Sequence, residues 1–497
     1  MMIVIGIVCS KKTEDVGDFY LGGRKLGPIV TAMSAEASDM SSWLLMGLPG
    51  VAYLSGAGEA GWTAIGLAIG TYLSWLLVAK RLRIYSHKCG NSITIPDFFS
   101  NRYRDDSHAL MGIAALIILV FFIPYTASGF AACGKLFRSL FGIDYHIAMI
   151  ISAVVIISYT SVGGFLAAST TDLIQSIVMT SALIILLVFG VHTAGGFDAV
   201  IDNAKSLSGY MSLTSVHDAT TGGSSEYGLL SIVSTLAWGL GYFGMPHFLL
   251  RFMAIKDSSK IKTSRRIASI WVVISMGIAI FIGYIGNALS SNGSIERLEG
   301  SSEAETVIIK VALFMSENSI PAACLAGLIF AGILACTMST SDSQLLAASS
   351  SMSENIIGGV FRIKLTQKKQ MISARAVLII IAVLSIIFAW NPDSSVFKIV
   401  SFAWAGFGAT FGPVMLAALF WKRSNKWGAL AGMIVGGVMV FAWKFGISKL
   451  GGAWSIYELL PAFIAATLAI VIVSLVTGKP DKSITDEFEE VSAEMKK

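Results

Sequence analysis

Ser34-Ala35-Glu36-Ala37-Ser38-Asp39-Met40-Ser41-Ser42-Trp43 lies inside an apolar run of membrane-spanning length, 26–52, and is followed by Gly47-Leu48-Pro49-Gly50. An acid at that depth costs roughly 2.5 kcal/mol or more unless a cation, a partner or water meets it. A segment that keeps Glu36, Asp39 and several hydroxyls there points to a chain that handles an ion.

The remaining sequence fits that setting. The chain has 497 residues, 55% hydrophobic and 13% charged, against about 25% charged in soluble proteins. It reads as an all-α polytopic membrane protein. The net charge of +5 does not point to nucleic acid, because the basic residues fall in short loops. The five cysteines show neither metal spacing nor a disulfide framework. No triad, phosphate loop or metal-ligand cluster appears, so an enzyme is not expected.

Twelve segments of spanning length are predicted, near 26–52, 62–78, 110–136, 147–165, 173–194, 227–254, 267–289, 320–349, 372–390, 396–421, 427–445 and 456–477. Residues 1–9 are too short to span and read as the remnant of an extra N-terminal helix. Residues 10–421 read as the core, 422–477 as two additional helices and 478–497 as a solvated tail. Lys and Arg concentrate in alternate loops: Lys11, Lys12, Arg24 and Lys25; Lys80 to Arg104; Lys256 to Arg266; Arg362 to Lys369; Lys422 to Lys426. The positive-inside rule places these loops and the C-terminus in the cytoplasm.

Three segments look interrupted. The first carries the Ser/Ala/Asp stretch with its Gly and Pro. The sixth carries Trp238-Gly239-Leu240-Gly241-Tyr242-Phe243-Gly244-Met245-Pro246, and the eighth Cys336-Thr337-Met338-Ser339-Thr340-Ser341-Asp342-Ser343-Gln344. Irregular backbone at membrane depth is tolerated where it lines a cavity. Broken first and sixth spans imply two inverted five-helix repeats with a binding site near the midplane. Ordinary readings stand beside these. Ser339 and Thr340 also suit helix packing. Trp238 and Tyr242, four apart, also suit packing on one face. Asp172 also suits the N-terminal end of the fifth span. No intramembrane Lys or Arg stands out as a partner for Asp39.

Gly163-Gly164-Phe165-Leu166-Ala167-Ala168-Ser169-Thr170-Thr171-Asp172-Leu173-Ile174-Gln175 and Ile95-Pro96-Asp97-Phe98 resemble the signatures of the sodium/solute symporter family. The stretches 37–50, 238–252 and 403–413 resemble its bacterial proline branch. Glu36 departs from that branch, which has a small residue there. It reads as a helix-surface acid, an extra proton or cation contact, or a sign of altered substrate preference.

The resemblance implies a leucine-transporter-like fold. It also implies a sodium-coupled importer of L-proline in the bacterial cytoplasmic membrane, working by alternating access. By the same resemblance, sodium is held by the carbonyls of Ala37, Met40 and Cys336 and the hydroxyls of Ser339 and Thr340. Asp39 makes the region favourable for a cation. Asp172, Asp342 and Ser343, with Thr340, are implied as a second sodium site. Ser41, Trp43, Tyr125, Trp238, Tyr242 and Pro246 match the solute positions. Aromatic faces suit a compact ring and its ammonium. Alternatives are a sodium symporter for another amino acid, a sialic acid or a vitamin, and a membrane sensor that binds solute without moving it.

Overall fold

The computed structural model describes residues 2–11 and 13–495. Met1, in the segment 1–9 expected to be a remnant helix, Lys12 of the first basic loop and the last two lysines lie outside the described residues. Among the described residues, nine helices are long and apolar enough to cross a membrane. A tenth span is the pair Leu229–Phe243 and Pro246–Ala254, bent by 44°.

The difference from twelve has two causes. The first expected span is broken, so neither Pro28–Ser42 nor Leu48–Ser55 is long enough to cross alone. The fourth and fifth join in one helix, Tyr145–Thr193, of 49 residues. At about 1.5 Å per residue, that is more than twice the hydrocarbon thickness. Gly164, at φ 60° and ψ −158°, turns the chain inside it. A side chain there would be strained, and its Cβ would lie 2.7 Å from the Phe19 ring and 2.8 Å from the Phe19 carbonyl.

The eighth span corrects an expectation. Ile320–Ser350 is a regular helix through Cys336–Gln344, and the wider π turns come only at Ser351–Val360. Its run of small residues serves close approach instead. It packs along the Tyr145–Thr193 helix, the first span and the third span, Ala109–Phe141. The ninth and tenth spans are Gln367–Phe388 and Val396–Phe420, followed by Lys426–Phe445 and Leu459–Val476, which pack together. Ile147, Ile151, Val154 and Val188 are exposed, as a lipid-facing surface requires.

The tail is not simply solvated. Lys482–Glu494 is a helix that buries Ile484, Phe488 and Val491. The Phe488 ring lies under Arg81 at 4.7 Å and under Arg102 at 5.5 Å. Glu490 pairs with Lys88 at 2.9 Å, Glu487 with Arg104 at 3.4 Å, and Glu489 with Lys422. Gly164→Ala is expected to destabilise the folded chain by about 1–3 kcal/mol, read as a lowered melting temperature in detergent.

Candidate functional site

The first span breaks at Ser41. Its φ of 48° with ψ of −173° is a conformation that L-residues rarely adopt. Such strain costs of order 1–3 kcal/mol. Serine offers local compensation, since its Oγ accepts the Trp43 amide at 3.1 Å. The chain continues as a π-type turn over Trp43–Gly47, and Leu48–Ser55 follows with Pro49 in its first turn. The sixth span narrows to a 3-10 turn over Ala237–Phe243 before Pro246 starts its second half. Glycines permit this. Gly239 sits against Gly66 and Gly70 of the second span, where a Cβ on either partner would strike backbone.

Four of the five expected sodium ligands converge. Ser339 Oγ lies 2.8 Å from the Ala37 carbonyl and 3.0 Å from the Cys336 carbonyl. Thr340 Oγ1 lies 3.5 Å and 3.3 Å from the same two oxygens. The Cys336 thiol also reaches the Ser41 carbonyl, at the break. Met40 is buried beside them, but its carbonyl accepts the Trp43 amide. Among the described residues no group of three His, Cys, Asp or Glu side chains is placed to hold a metal. An ion here therefore relies on carbonyls and hydroxyls, ligands that suit a hard cation.

Asp39 looks the other way. Its Oδ2 accepts the Tyr242 hydroxyl at 2.6 Å, and its backbone carbonyl accepts the Tyr125 hydroxyl at 3.4 Å. Its Oδ1 is buried without a partner. Trp238 and Tyr242 do not share a face. Four residues apart bring side chains together on an α-helix, but a 3-10 turn has three residues per turn and splays them. Tyr242 turns to Asp39. Trp238 joins a wall with Trp43 at 5.9 Å, Phe397 at 5.3 Å and Tyr457 at 5.2 Å between ring centres. Trp404 bridges the two by donating to the Trp238 carbonyl at 2.7 Å and meeting the Tyr242 ring edge-on at 5.1 Å. Ser41 and Trp43 stand at the break, between the Ala37–Ser339 oxygens and the aromatic wall. Pro246 is buried at the start of the second half-helix, where its fixed φ suits the first turn.

Phe397, Trp404 and Tyr457 were not singled out from sequence. Trp404 lies in the stretch 403–413 that carries the family resemblance, which was the available signal. A cavity of about 470 Å³ opens above the wall, lined by Trp238, Phe397, Ser401, Tyr457, Lys444 and Glu458. It faces the loops poor in Lys and Arg.

The deeper cluster overturns one reading. Asp172 lies two turns beyond the Gly164 kink, so it is not a helix-end acid. A buried basic partner does exist, for Asp172 and not for Asp39. Arg251 is 1% exposed and sits 3.2 Å from Asp172 Oδ2. Ser34 Oγ donates to the same oxygen at 2.6 Å. Arg251 also donates to Ser343. Ser343 donates to Asp342 at 3.0 Å, and Tyr159 donates to the other Asp342 oxygen at 2.8 Å. Asp172, Asp342 and Ser343 are thus brought together around a guanidinium.

A second buried pair lies near the start of the tenth span. Lys135 meets Glu305 at 3.1 Å. Glu305 also accepts the amides of Val396 and Phe397, at 3.1 and 3.0 Å, at the start of the tenth span. A carboxylate suits that helix N-terminus, and it anchors the backbone that carries the Phe397 ring of the wall.

Residues 19–436 match the sequence model of the sodium:solute symporter family. The chain is 41% identical to the high-affinity proline transporter PutP of Bacillus subtilis, over 98% of each chain. It is 43% identical to the sodium/proline symporter of Haemophilus influenzae, over 98% of this chain and 95% of that one. For the Escherichia coli sodium/proline symporter the figures are 40%, 99% and 94%. A Na+-coupled sialic acid symporter in a substrate-bound, outward-open state superposes with a TM-score of 0.78 at 18% identity, over 97% and 96% of the two chains. MhsT in complex with L-phenylalanine gives 0.56 at 14%, over 91% and 98%. These two likenesses establish the leucine-transporter-like fold.

Arg251→Met leaves Asp172 buried and unpaired, and is expected to cost about 3–5 kcal/mol of stability. Adding Asp172→Asn should recover much of that. Thermal unfolding of the two variants beside the parent checks it.

Proposed function

The chain belongs to the sodium:solute symporter family, and from that premise we propose that it imports L-proline with sodium across the bacterial cytoplasmic membrane, its C-terminus in the cytoplasm. The reading rests on one observation. The Ala37 carbonyl, one turn before the first-span break at Ser41, meets the Ser339 and Thr340 hydroxyls of an unbroken eighth span. Near-full-length relatives named as proline symporters support the choice of solute.

Sodium is cargo and not a resident cofactor. Ala37, Cys336, Ser339 and Thr340 hold it, and Met40 completes the set. Asp39 lowers the cost of a cation at this depth. The deeper cluster sets two carboxylates against one guanidinium, so one more cation balances it. Asp172, Asp342, Ser343 and Thr340 hold that second sodium.

Proline lies at the break between Ser41, Trp43, Tyr125, Trp238, Tyr242 and Pro246. The aromatic faces cover its ring and attract its ammonium. Backbone groups at the helix breaks hold its carboxylate, since a half-helix N-terminus favours anions. Sodium binding joins the first and eighth spans and so completes the solute site. Solute then favours closure over both ligands. This mutual effect is a coupling free energy of about 1–3 kcal/mol. The drive is sufficient: about 1.4 kcal/mol per tenfold sodium ratio and about 2.3 kcal/mol per 100 mV for each charge moved.

Labelled proline should accumulate in proteoliposomes only under an inward sodium gradient. Binding without accumulation would mark a sensor, and stronger competition by another amino acid, a sialic acid or a vitamin would reassign the solute. Ser339→Ala with Thr340→Ala should raise the half-saturating sodium about tenfold or more, because a hydroxyl lost from a charged partner costs roughly 1.5–3 kcal/mol. Trp238→Ala should weaken proline about tenfold, as a desolvated cation–π contact is worth roughly 2 kcal/mol, with little change in sodium dependence.

A further inference from the structure

Four carboxylates are buried around the breaks: Glu36, Asp39, Asp172 and Asp342, none more than 5% exposed. One buried guanidinium, Arg251, faces them, and it is committed to Asp172 and Ser343. Two cations at the sites already described balance Asp39 and the deeper cluster. Glu36 is left without a counter-charge.

Its surroundings are specific. Glu36 Oε1 accepts Trp75 Nε1 at 2.9 Å and Thr71 Oγ1 at 3.1 Å, both from the second span. Both donors are neutral, and Glu36 Oε2 is buried with no partner. Asp39 stands three residues on, in the regular part of the same helix. Such pairs place their Cβ atoms about 5–6 Å apart. Its Oδ1 is also buried without a partner, and so is Ser42 Oγ.

The two acids face one seam. Ser74, next to Trp75, donates to the Tyr242 carbonyl at 3.1 Å, and the Tyr242 hydroxyl binds Asp39. The Trp75 and Tyr242 rings both pack on Phe248, at 6.2 and 4.9 Å. The Ala37 carbonyl, by contrast, meets the eighth span.

We propose that Glu36 and Asp39 together bind a further alkali cation, in the seam between the first, second and sixth spans, distinct from the ions at the eighth span. The unpartnered Glu36 Oε2 and Asp39 Oδ1 are its anionic ligands, and Ser42 Oγ and the Tyr242 hydroxyl are neutral oxygens beside them. The inference rests on the sodium-symport reading for its accounting of the other two ions. Its consequence is one extra cation moved per solute.

The test is equilibrium binding of radioactive sodium to the purified full chain at fixed pH, for the parent and Glu36→Gln. The expected result is one fewer sodium per chain in the variant. Charge moved per proline should also fall by one in voltage-clamped vesicles. An unchanged count overturns the proposal. So does proton entry with proline, seen by a trapped pH dye and lost in Glu36→Gln while the sodium count holds; the site would then bind a proton. Trp75→Phe guards against a variant that does not fold. It removes a donor from Glu36 and leaves both acids, so this sodium should bind at least about twofold tighter; equal or weaker binding sinks the proposal. The sodium count needs no solute, so a failure of proline uptake would strike the transport reading alone.

Discussion

Charge cannot be left bare where water is absent, and the centre of this protein is organised around that constraint. Asp172 and Asp342 are met by Arg251, Ser34, Ser343 and Tyr159. Asp39 is met by Tyr242 on one oxygen only. The backbone answers to the same rule. The Ala37 carbonyl, just before the break, meets hydroxyls of the eighth span, and the Ser41 carbonyl at the break meets the Cys336 thiol. A straight helix opposite a broken one is therefore a division of labour. The broken helix supplies the Ala37 carbonyl, and the regular helix supplies the Cys336 carbonyl with two hydroxyls at fixed spacing.

Much of this was legible in the sequence, because Gly, Pro and Ser mark places where a membrane helix gives way. The first and sixth breaks followed from Ser41 to Gly50 and from Trp238 to Pro246. The same cue misled at Cys336–Gln344, since small residues also let a straight helix lie close to its neighbours. Arg251 was visible in the sixth span as a lone cation within His247-Phe248-Leu249-Leu250-Arg251-Phe252. Its partner is 79 residues away, and no local pattern joins them.

The aromatic wall was half legible for a similar reason. Trp43 and Trp238 come from the interrupted stretches, whereas Phe397, Trp404 and Tyr457 come from later spans that only the fold brings near. The divergence of Trp238 and Tyr242 depends on whether the turn is α or 3-10, a choice that flanking glycines permit but composition does not dictate. The docked tail was missed because its charges outweigh its apolar residues. Ile484, Phe488 and Val491, spaced i, i+4 and i+7, carry the helical period that puts them on one side, a weak signal in so short and charged a stretch.

Glu305 ties together parts that the sequence keeps far apart. Gly50, in the second half of the broken first helix, lies so close to Ala304 and Glu305 that a Cβ there would come within 2.9 Å of their backbone. Glu305 in turn grips Lys135 and the amide that carries Phe397. Leu48–Ser55 is therefore joined to the Phe397 segment of the aromatic wall by two successive backbone contacts. The wall beneath the cavity and the backbone joint at Ser41 are thus tied into one connected unit.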